Sequence, residues 1–253
     1  MIVNLYLMSV KFCRIIIAQD TPEPIFLAYN DLGHMKIIAL PDLHDDVSRL
    51  QLIGPALSAV DLVLLVGDFT NGGSVSDAER MIDLIRGFNS TILAIPGNWD
   101  PPKVEDYLNR TGINLNRRHI ILDGLAFIGM GAALPGPVLT PNEVSELDFE
   151  RFFDEAVSGL DATIPEILVC HQPPNNTLND LAQGKDHVGS QTVRKFIERY
   201  QPLICFTGHI HEGAVIDQVG RTMIVNPGPL SQGHYAYADV SYRGIQTLEI
   251  RAA

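Results

Sequence analysis

The stretch Lys36-Ile-Ile-Ala-Leu-Pro-Asp-Leu-His44 is a short β-branched run that ends on an aspartate and a histidine, and Leu62-Val-Leu-Leu-Val-Gly-Asp68 ends in the same way on a glycine and an aspartate. Working outward, the rhythm recurs. Strands are expected at Lys36–Leu40, Leu62–Val66, Thr91–Ile95, Ile120–Leu122, Ala126–Gly129, Ile167–Cys170 and Leu203–Thr207. Helical periodicity predicts helices at Asp46–Ala59, Ser76–Phe88, Asn142–Ser158 and Ser190–Tyr200. Strands alternating with amphipathic helices are an α/β pattern. From Ala214 to Ile250, short strands separated by Val219-Gly220 and Arg243-Gly244 read instead as antiparallel hairpins, so the sheets should be mixed.

The chain has 253 residues, enough for one large domain or two small ones. It carries no internal repeat and no Gly- or Ser-rich linker, so residues 35–253 are expected to form a single domain. Residues 1–34 read as an N-terminal extension or β-hairpin around the turn Asp20-Thr-Pro-Glu-Pro24. Met1–Met8 is apolar but lacks a basic leader and a small-residue cleavage site, so it does not read as a signal peptide. No apolar run is long enough to cross a bilayer, and 46% hydrophobic residues spread along the chain suit a globular protein. The net charge of −12, with no basic cluster, argues against nucleic acid as a partner. Three widely spaced cysteines fit no disulfide framework, and a reducing cytoplasm is the expected setting.

Polar residues able to bind metal follow five of the expected strands, where loops at sheet ends carry function. In Asp42-Leu-His44, alternate residues of an extended segment could turn one carboxylate and one imidazole toward one cation, although Asp42 alone would also suit a turn cap. Asp68 could bridge two ions, or be an ordinary strand-end aspartate. Pro96-Gly-Asn-Trp-Asp100 allows a tight turn that brings the Asn98 amide oxygen to the sheet end, and alone it reads as a turn. His171 is followed by Gln172-Pro-Pro174, which stiffens its loop, and a structural role would serve it equally well. Gly208-His-Ile-His211 sets two imidazoles on one face of an extended stretch and points to a metal site by itself. Two carboxylates, an amide and four imidazoles suit Mn, Fe, Zn, Co or Ni better than calcium.

This ordered set resembles the calcineurin-like metallophosphoesterase superfamily, over Lys36 to about Tyr237. The phrases His171-Gln-Pro-Pro174, Gly208-His-Ile-His-Glu212 and Asn226-Pro-Gly-Pro229 are similar to small prokaryotic phosphoesterases related to cyclic nucleotide phosphodiesterases. The resemblance implies a four-layer αββα sandwich of two mixed β-sheets flanked by helices. It implies two divalent metal ions, Mn2+ first among them, with Asp42, His44 and His211 holding one, Asn98, His171 and His209 the other, and Asp68 bridging. It further implies hydrolysis of a small phosphoester substrate by a metal-bridging hydroxide, with Asp68, Asn98 and His209 as catalytic residues.

One position departs from that pattern. Many relatives carry a histidine directly after the asparagine, where it helps protonate the leaving group, and here the residue is Trp99. Indole cannot donate a proton usefully, so a general-acid contribution of about 10² to 10⁴-fold must come from elsewhere or be absent. Phosphodiesters are therefore preferred to phosphomonoesters or nucleotides as the expected substrate. Trp99 is a candidate for stacking on a nucleobase or aryl group, or a packing residue. His187, in the polar loop Asn175–Val188, is a candidate substitute acid and substrate contact, or a surface histidine. Asp100 is expected to support the ligands and Asn226 to present backbone beside them. Cys170 reads as a core residue rather than a nucleophile. The loops Leu134–Val144 and Asn175–Val188 should shape the pocket. A non-catalytic scaffold of the same fold is the rival reading, and retention of all seven ligand types argues against it. Oligomeric state is left open.

Overall fold

The computed structural model describes residues 33–253, so the expected N-terminal hairpin lies, up to residue 32, outside the described residues. In chain order the first strands and helices are β1 (Met35–Leu40), α1 (Val47–Leu52), α2 (Gly54–Ser58), β2 (Leu62–Val66), α3 (Val75–Arg86), β3 (Ile92–Ile95) and α4 (Pro102–Arg110). They continue with β4 (Arg118–Leu122), β5 (Leu125–Met130), α5 (Glu146–Ala156), β6 (Glu166–Cys170), the ribbon strands β7 (Leu181–Ala182) and β8 (Asp186–His187), and α6 (Gln191–Tyr200). The chain closes with β9 (Ile204–Phe206), β10 (Val215–Val219), β11 (Thr222–Asn226), β12 (His234–Ser241) and β13 (Gly244–Ala252).

Two mixed sheets result. One has the order β13-β12-β1-β2-β3, the other β10-β11-β9-β6-β5-β4. Successive side chains of a strand point to opposite faces, so a strand covered on both sides must be apolar throughout. β2 meets that condition. Leu62, Leu64 and Val66 enter the core between the sheets with Phe127, Ile167, Val169 and Phe206, whereas Val63 and Leu65 face the helices. On that outer face, Leu50, Leu57, Ile82 and Leu108 of α1 to α4 cover the first sheet. Phe149 and Phe153 of α5, with Val193, Phe196 and Ile197 of α6, cover Leu168, Cys170 and Cys205 of the second. The layers are therefore helix, sheet, sheet, helix, as the resemblance implied.

Two helix expectations need correction, and one helix was missed. The helix expected at Asp46–Ala59 is two short ones, α1 and α2, with Pro55 in the first turn of the second. Proline has no N–H to continue the preceding turn and suits a helix start. The helix expected from Asn142 begins only at Glu146, because Ser145 and Asp148 form a capping box that fixes the start. Helix α4 was not expected; Pro102 opens it, and Val104, Tyr107 and Leu108 supply its buried stripe.

The parallel strands place the site. Leu40 pairs with Leu65 and Val66 with Ile95 in the first sheet, while Met130 pairs with Cys170 and Val169 with Phe206 in the second. Their carboxyl ends are thus in line, and the loops that follow meet across the two sheets. Ala132 N donates to Pro96 O at 3.0 Å, and His171 Nδ1 lies 2.8 Å from Val66 O.

Candidate metal centre

The chain leaves these strand ends through left-handed backbone. Asp42, His44, Asp45, Asp68 and His209 have φ of 52°, 45°, 65°, 54° and 66°. Non-glycine residues pay for that conformation, and it persists only where surrounding structure enforces it, often at functional sites. Here Asp42 N donates to Gly67 O and His44 N to Asp68 O, both at 3.0 Å, and Gly208 N to His171 O at 3.2 Å. Turns therefore aim these side chains. This corrects the expectation that Asp42–His44 and Gly208–His211 are extended stretches with alternate residues on one face. His209 and His211 consequently fall into different groups.

Asp42, His44 and His211 form one group, and Asp68, His171 and His209 the other, with the ligand atoms in each all within 4.8 Å of one another. His44 Nε2 and His211 Nε2 are 3.4 Å apart, and they lie 3.9 and 3.6 Å from Asp42 Oδ1. In the second group His171 Nε2 is 3.0 Å from Asn98 Oδ1 and 3.3 Å from Asp68 Oδ2. That same Asp68 oxygen is 3.9 Å from His44 Nε2, which joins the two groups. All seven residues expected as ligands are together.

His171 donates its Nδ1 proton to the Val66 carbonyl, so the neutral ring presents a lone pair at Nε2. A lone pair facing an amide oxygen and a carboxylate oxygen at these distances is repulsive unless a proton or a cation sits among them. Asp42 and Asp68 are 0% and 1% exposed. Among the described residues their ion-pair partners are imidazoles, with no lysine or arginine. Buried carboxylates need positive charge close by. The residues present therefore fit divalent cations.

Without metal, protons take that part. Burial lowers the His171 pKa, but the charge and hydrogen bond of Asp68 and the charge of Asp42 outweigh it and push the value up to about 9. Burial pushes the Asp42 carboxyl up, yet its hydrogen bond to His211 and the charges of His171, His211 and His44 hold it below its ordinary range. His211 is raised, chiefly by its hydrogen bond to Asp42. His209 moves the other way: burial and the charge of His171 bring it to about 4, leaving a neutral ring of the kind that ligates metal.

A proton held by His171 above its unfolded value stabilises the metal-free protein fully below about pH 6.5, and that contribution is lost as the pH rises through about 9. A divalent cation such as Mn2+, were it to bind at Nε2, would have to displace this proton. Loading the metal-free protein at pH 7.5 in weak buffer is therefore expected to release protons to an indicator dye. Affinity should rise between pH 6 and 9 and then level. An affinity independent of pH over that range would contradict the placement of His171.

The remaining expected residues divide. Asp100 is fully buried and accepts from Gly97 N at 2.9 Å, Thr70 N at 3.1 Å and Phe69 N at 3.2 Å, so it ties the Asp68 loop to the Asn98 loop. Burial and the charge of Asp68 push its pKa up to about 7. Asn226 contributes its side chain rather than its backbone, donating to Ile210 O at 2.9 Å and Gly208 O at 3.3 Å on either side of His209. Trp99 is half-buried, and its backbone N–H donates to Asp68 Oδ1 at 2.8 Å. His187 bonds through Nδ1 to Asp180 Oδ1 at 2.7 Å and is not brought into the ligand set. Cys170 is buried in the outer core, and burial pushes its thiol pKa well up, as a core residue requires.

Two residues were missed. Thr140 Oγ1 accepts from Asn98 Nδ2 at 3.2 Å, and Asn142 Nδ2 donates to Gly97 O at 2.9 Å. Their only signal was their place in the loop Leu134–Val144, expected to shape the pocket, which does not say what either residue touches.

The model of the calcineurin-like phosphoesterase family matches residues 35–213. An uncharacterised protein of Methanocaldococcus jannaschii is 34% identical over 203 residues, which cover 78% of this chain and 90% of that one. Among solved structures, a protein of Thermus thermophilus, TT1561, is similar with a TM-score of 0.69 at 18% identity, over 87% of this chain and 99% of that one. A purple acid phosphatase from yellow lupin (Lupinus luteus) seeds is similar with a TM-score of 0.57 at 12% identity, over 87% of this chain and 52% of that one. At these identities the two structures bear on the fold alone, and they share it. With the family model spanning all seven clustered residues, the chain belongs to the calcineurin-like phosphoesterase family.

Proposed function

We propose that this protein is a dinuclear metal-dependent hydrolase of phosphoric esters, with phosphodiesters as the preferred substrates. The observation that carries the reading is Asp68 Oδ2, which lies 3.3 Å from His171 Nε2 and 3.9 Å from His44 Nε2, so that one carboxylate serves both groups. Asp42, His44 and His211 would hold one ion, Asn98, His171 and His209 the other, and Asp68 both. Mn2+ is the proposed metal. Two such ions would supply Lewis-acid neutralisation of phosphoryl oxygens and an activated water.

The chain's own groups set the stage for that chemistry. The Trp99 backbone N–H occupies Asp68 Oδ1, which leaves Oδ2 to face the centre. His209 offers a neutral ring, and Asn98 turns its amide oxygen inward. A Cβ added at Gly72 would lie 3.7 Å from Trp99 Cε3, so the half-buried indole rests beside that glycine and offers a flat apolar surface suited to a nucleobase or aryl group. Position 99 provides no proton for a leaving alkoxide, which favours esters whose leaving group departs without one. Residues 35–253 are proposed to act as one unit. Free, buried Cys170 and Cys205 support a reducing cytoplasm as the setting. Among the described residues, no helix is long and apolar enough to cross a membrane.

The test is hydrolysis of bis-p-nitrophenyl phosphate beside p-nitrophenyl phosphate by metal-stripped protein, before and after Mn2+ is added. Mn2+ is expected to restore turnover of both, since p-nitrophenolate leaves without a proton, with the diester cleaved faster than the monoester. Failure of Mn, Fe, Zn, Co and Ni alike to restore either reaction would overturn the hydrolase reading. A preference for the monoester would overturn only the choice of substrate.

A further inference from the structure

We infer that Thr140 and Glu143, on the loop between β5 and α5, are a positioning pair that selects which end of the Asn98 amide faces the metal centre; this rests on the metal-dependent reading above. An asparagine can serve a cation only through Oδ1, because the flipped amide would present two N–H donors instead. Near isosteric ends make the choice depend on the partners. Asn98 Oδ1 lies 3.0 Å from His171 Nε2, and Nδ2 donates to Thr140 Oγ1 at 3.2 Å.

A hydroxyl alone would not discriminate, since it both donates and accepts. Glu143 removes that ambiguity. Thr140 Oγ1 donates to Glu143 Oε1 at 2.8 Å, and Thr140 N donates to the same oxygen at 2.8 Å. With its proton committed to the carboxylate, the hydroxyl has only lone pairs to offer Asn98, and only the N–H end of the amide can meet it. A hydrogen bond to a carboxylate is charge-assisted and stronger than one between neutral groups, so the commitment holds. The backbone around it is fixed independently: Asn142 N donates to Asn98 O at 3.0 Å, and its side chain holds Gly97 O at 2.9 Å. Residues that orient a ligand in this way are worth about 10 to 100-fold in metal affinity.

The experiment titrates Mn2+ into metal-free wild type, Thr140→Val, Thr140→Ser and Glu143→Gln, with bound Mn2+ counted by mass spectrometry and melting followed in EDTA. Thr140→Val keeps the shape and loses the acceptor. It is expected to weaken one of two Mn2+ sites about 10 to 100-fold, with its melting temperature in EDTA close to that of wild type. Thr140→Ser is expected to recover most of that loss. Glu143→Gln can donate to the hydroxyl and so permits the flipped amide; an intermediate loss is expected. Wild-type affinity at both sites in Thr140→Val, or an equal loss in Thr140→Ser, would overturn the positioning role. Wild type that binds no divalent ion would instead overturn the metal-centre reading beneath it.

Discussion

Replacing Asp68 with asparagine is expected to cut hydrolysis of bis-p-nitrophenyl phosphate about 10³-fold or more and to reduce bound Mn2+ from two ions per chain to one or none. Lewis-acid stabilisation by metal is worth several kcal/mol, and each 1.36 kcal/mol or so is tenfold in rate. Asp68 Oδ2 is the atom that faces His171 and His44 together, so its charge is shared by both groups. Asparagine keeps the shape, and its amide oxygen can still accept from Trp99 N. Its NH2 would then point where a cation belongs. The fold should survive, because removing this charge also removes the repulsion that, after burial, pushes Asp100 up to about 7. The same change also removes the charge and hydrogen bond that hold the His171 proton, so melting of the metal-free variant is expected modestly below the wild-type temperature near neutral pH. Two Mn2+ ions per chain with activity within tenfold of wild type would remove Asp68 from the role given to it.

Gly67→Ala is expected to destabilise the protein by about 2–5 kcal/mol and to lose metal binding as well. Gly67 has φ +87°, and an added Cβ would sit 2.6 Å from His171 Nδ1, 2.7 Å from Gly97 Cα and 2.8 Å from Gly97 N. The left-handed conformation costs alanine about 1–2 kcal/mol, and forcing atoms into packed space about 1–3 kcal/mol. Backbone on the far side leaves no flexible side chain to yield, so His171 must leave Val66 O. For a protein of this size the loss should lower the melting temperature by roughly 5–15 °C in calorimetry. Gly112→Ala separates the two causes. It has φ +72° with nothing within 4 Å of the added Cβ, and should show the strain alone. Equal effects at both positions would mean that packing against His171 is not what constrains Gly67.

Much of the framework was legible before any coordinates because strand and helix patterns are local. The five ligand-bearing strand ends could be read from apolar runs that stop on Asp, Asn or His, and the same order of residues carried the family resemblance. Where reading failed, a nearby physical cause overrode the periodicity. Pro55 divided one expected helix, and the Ser145 capping box shortened another. Helix α4 has a clear stripe in Val104, Tyr107 and Leu108, but the Pro101-Pro102 pair at its start reads as a loop until its role as a helix start is seen.

The site divides along the same line. By itself the sequence determined which donors exist, in what order they occur and that each follows a strand, since residue type and alternation are properties of neighbours along the chain. Only the tertiary structure shows the geometry behind the grouping that the resemblance implied, with His209 and His211 apart and Asp68 facing both groups, and only it decided that Thr140 and Asn142 hold the Asn98 loop. Those outcomes depend on left-handed turns at Asp42, His44, Asp68 and His209 and on the register of two packed sheets. Such a turn is unfavourable for the residue that makes it and is enforced by hydrogen bonds from distant strands, so no local propensity announces it.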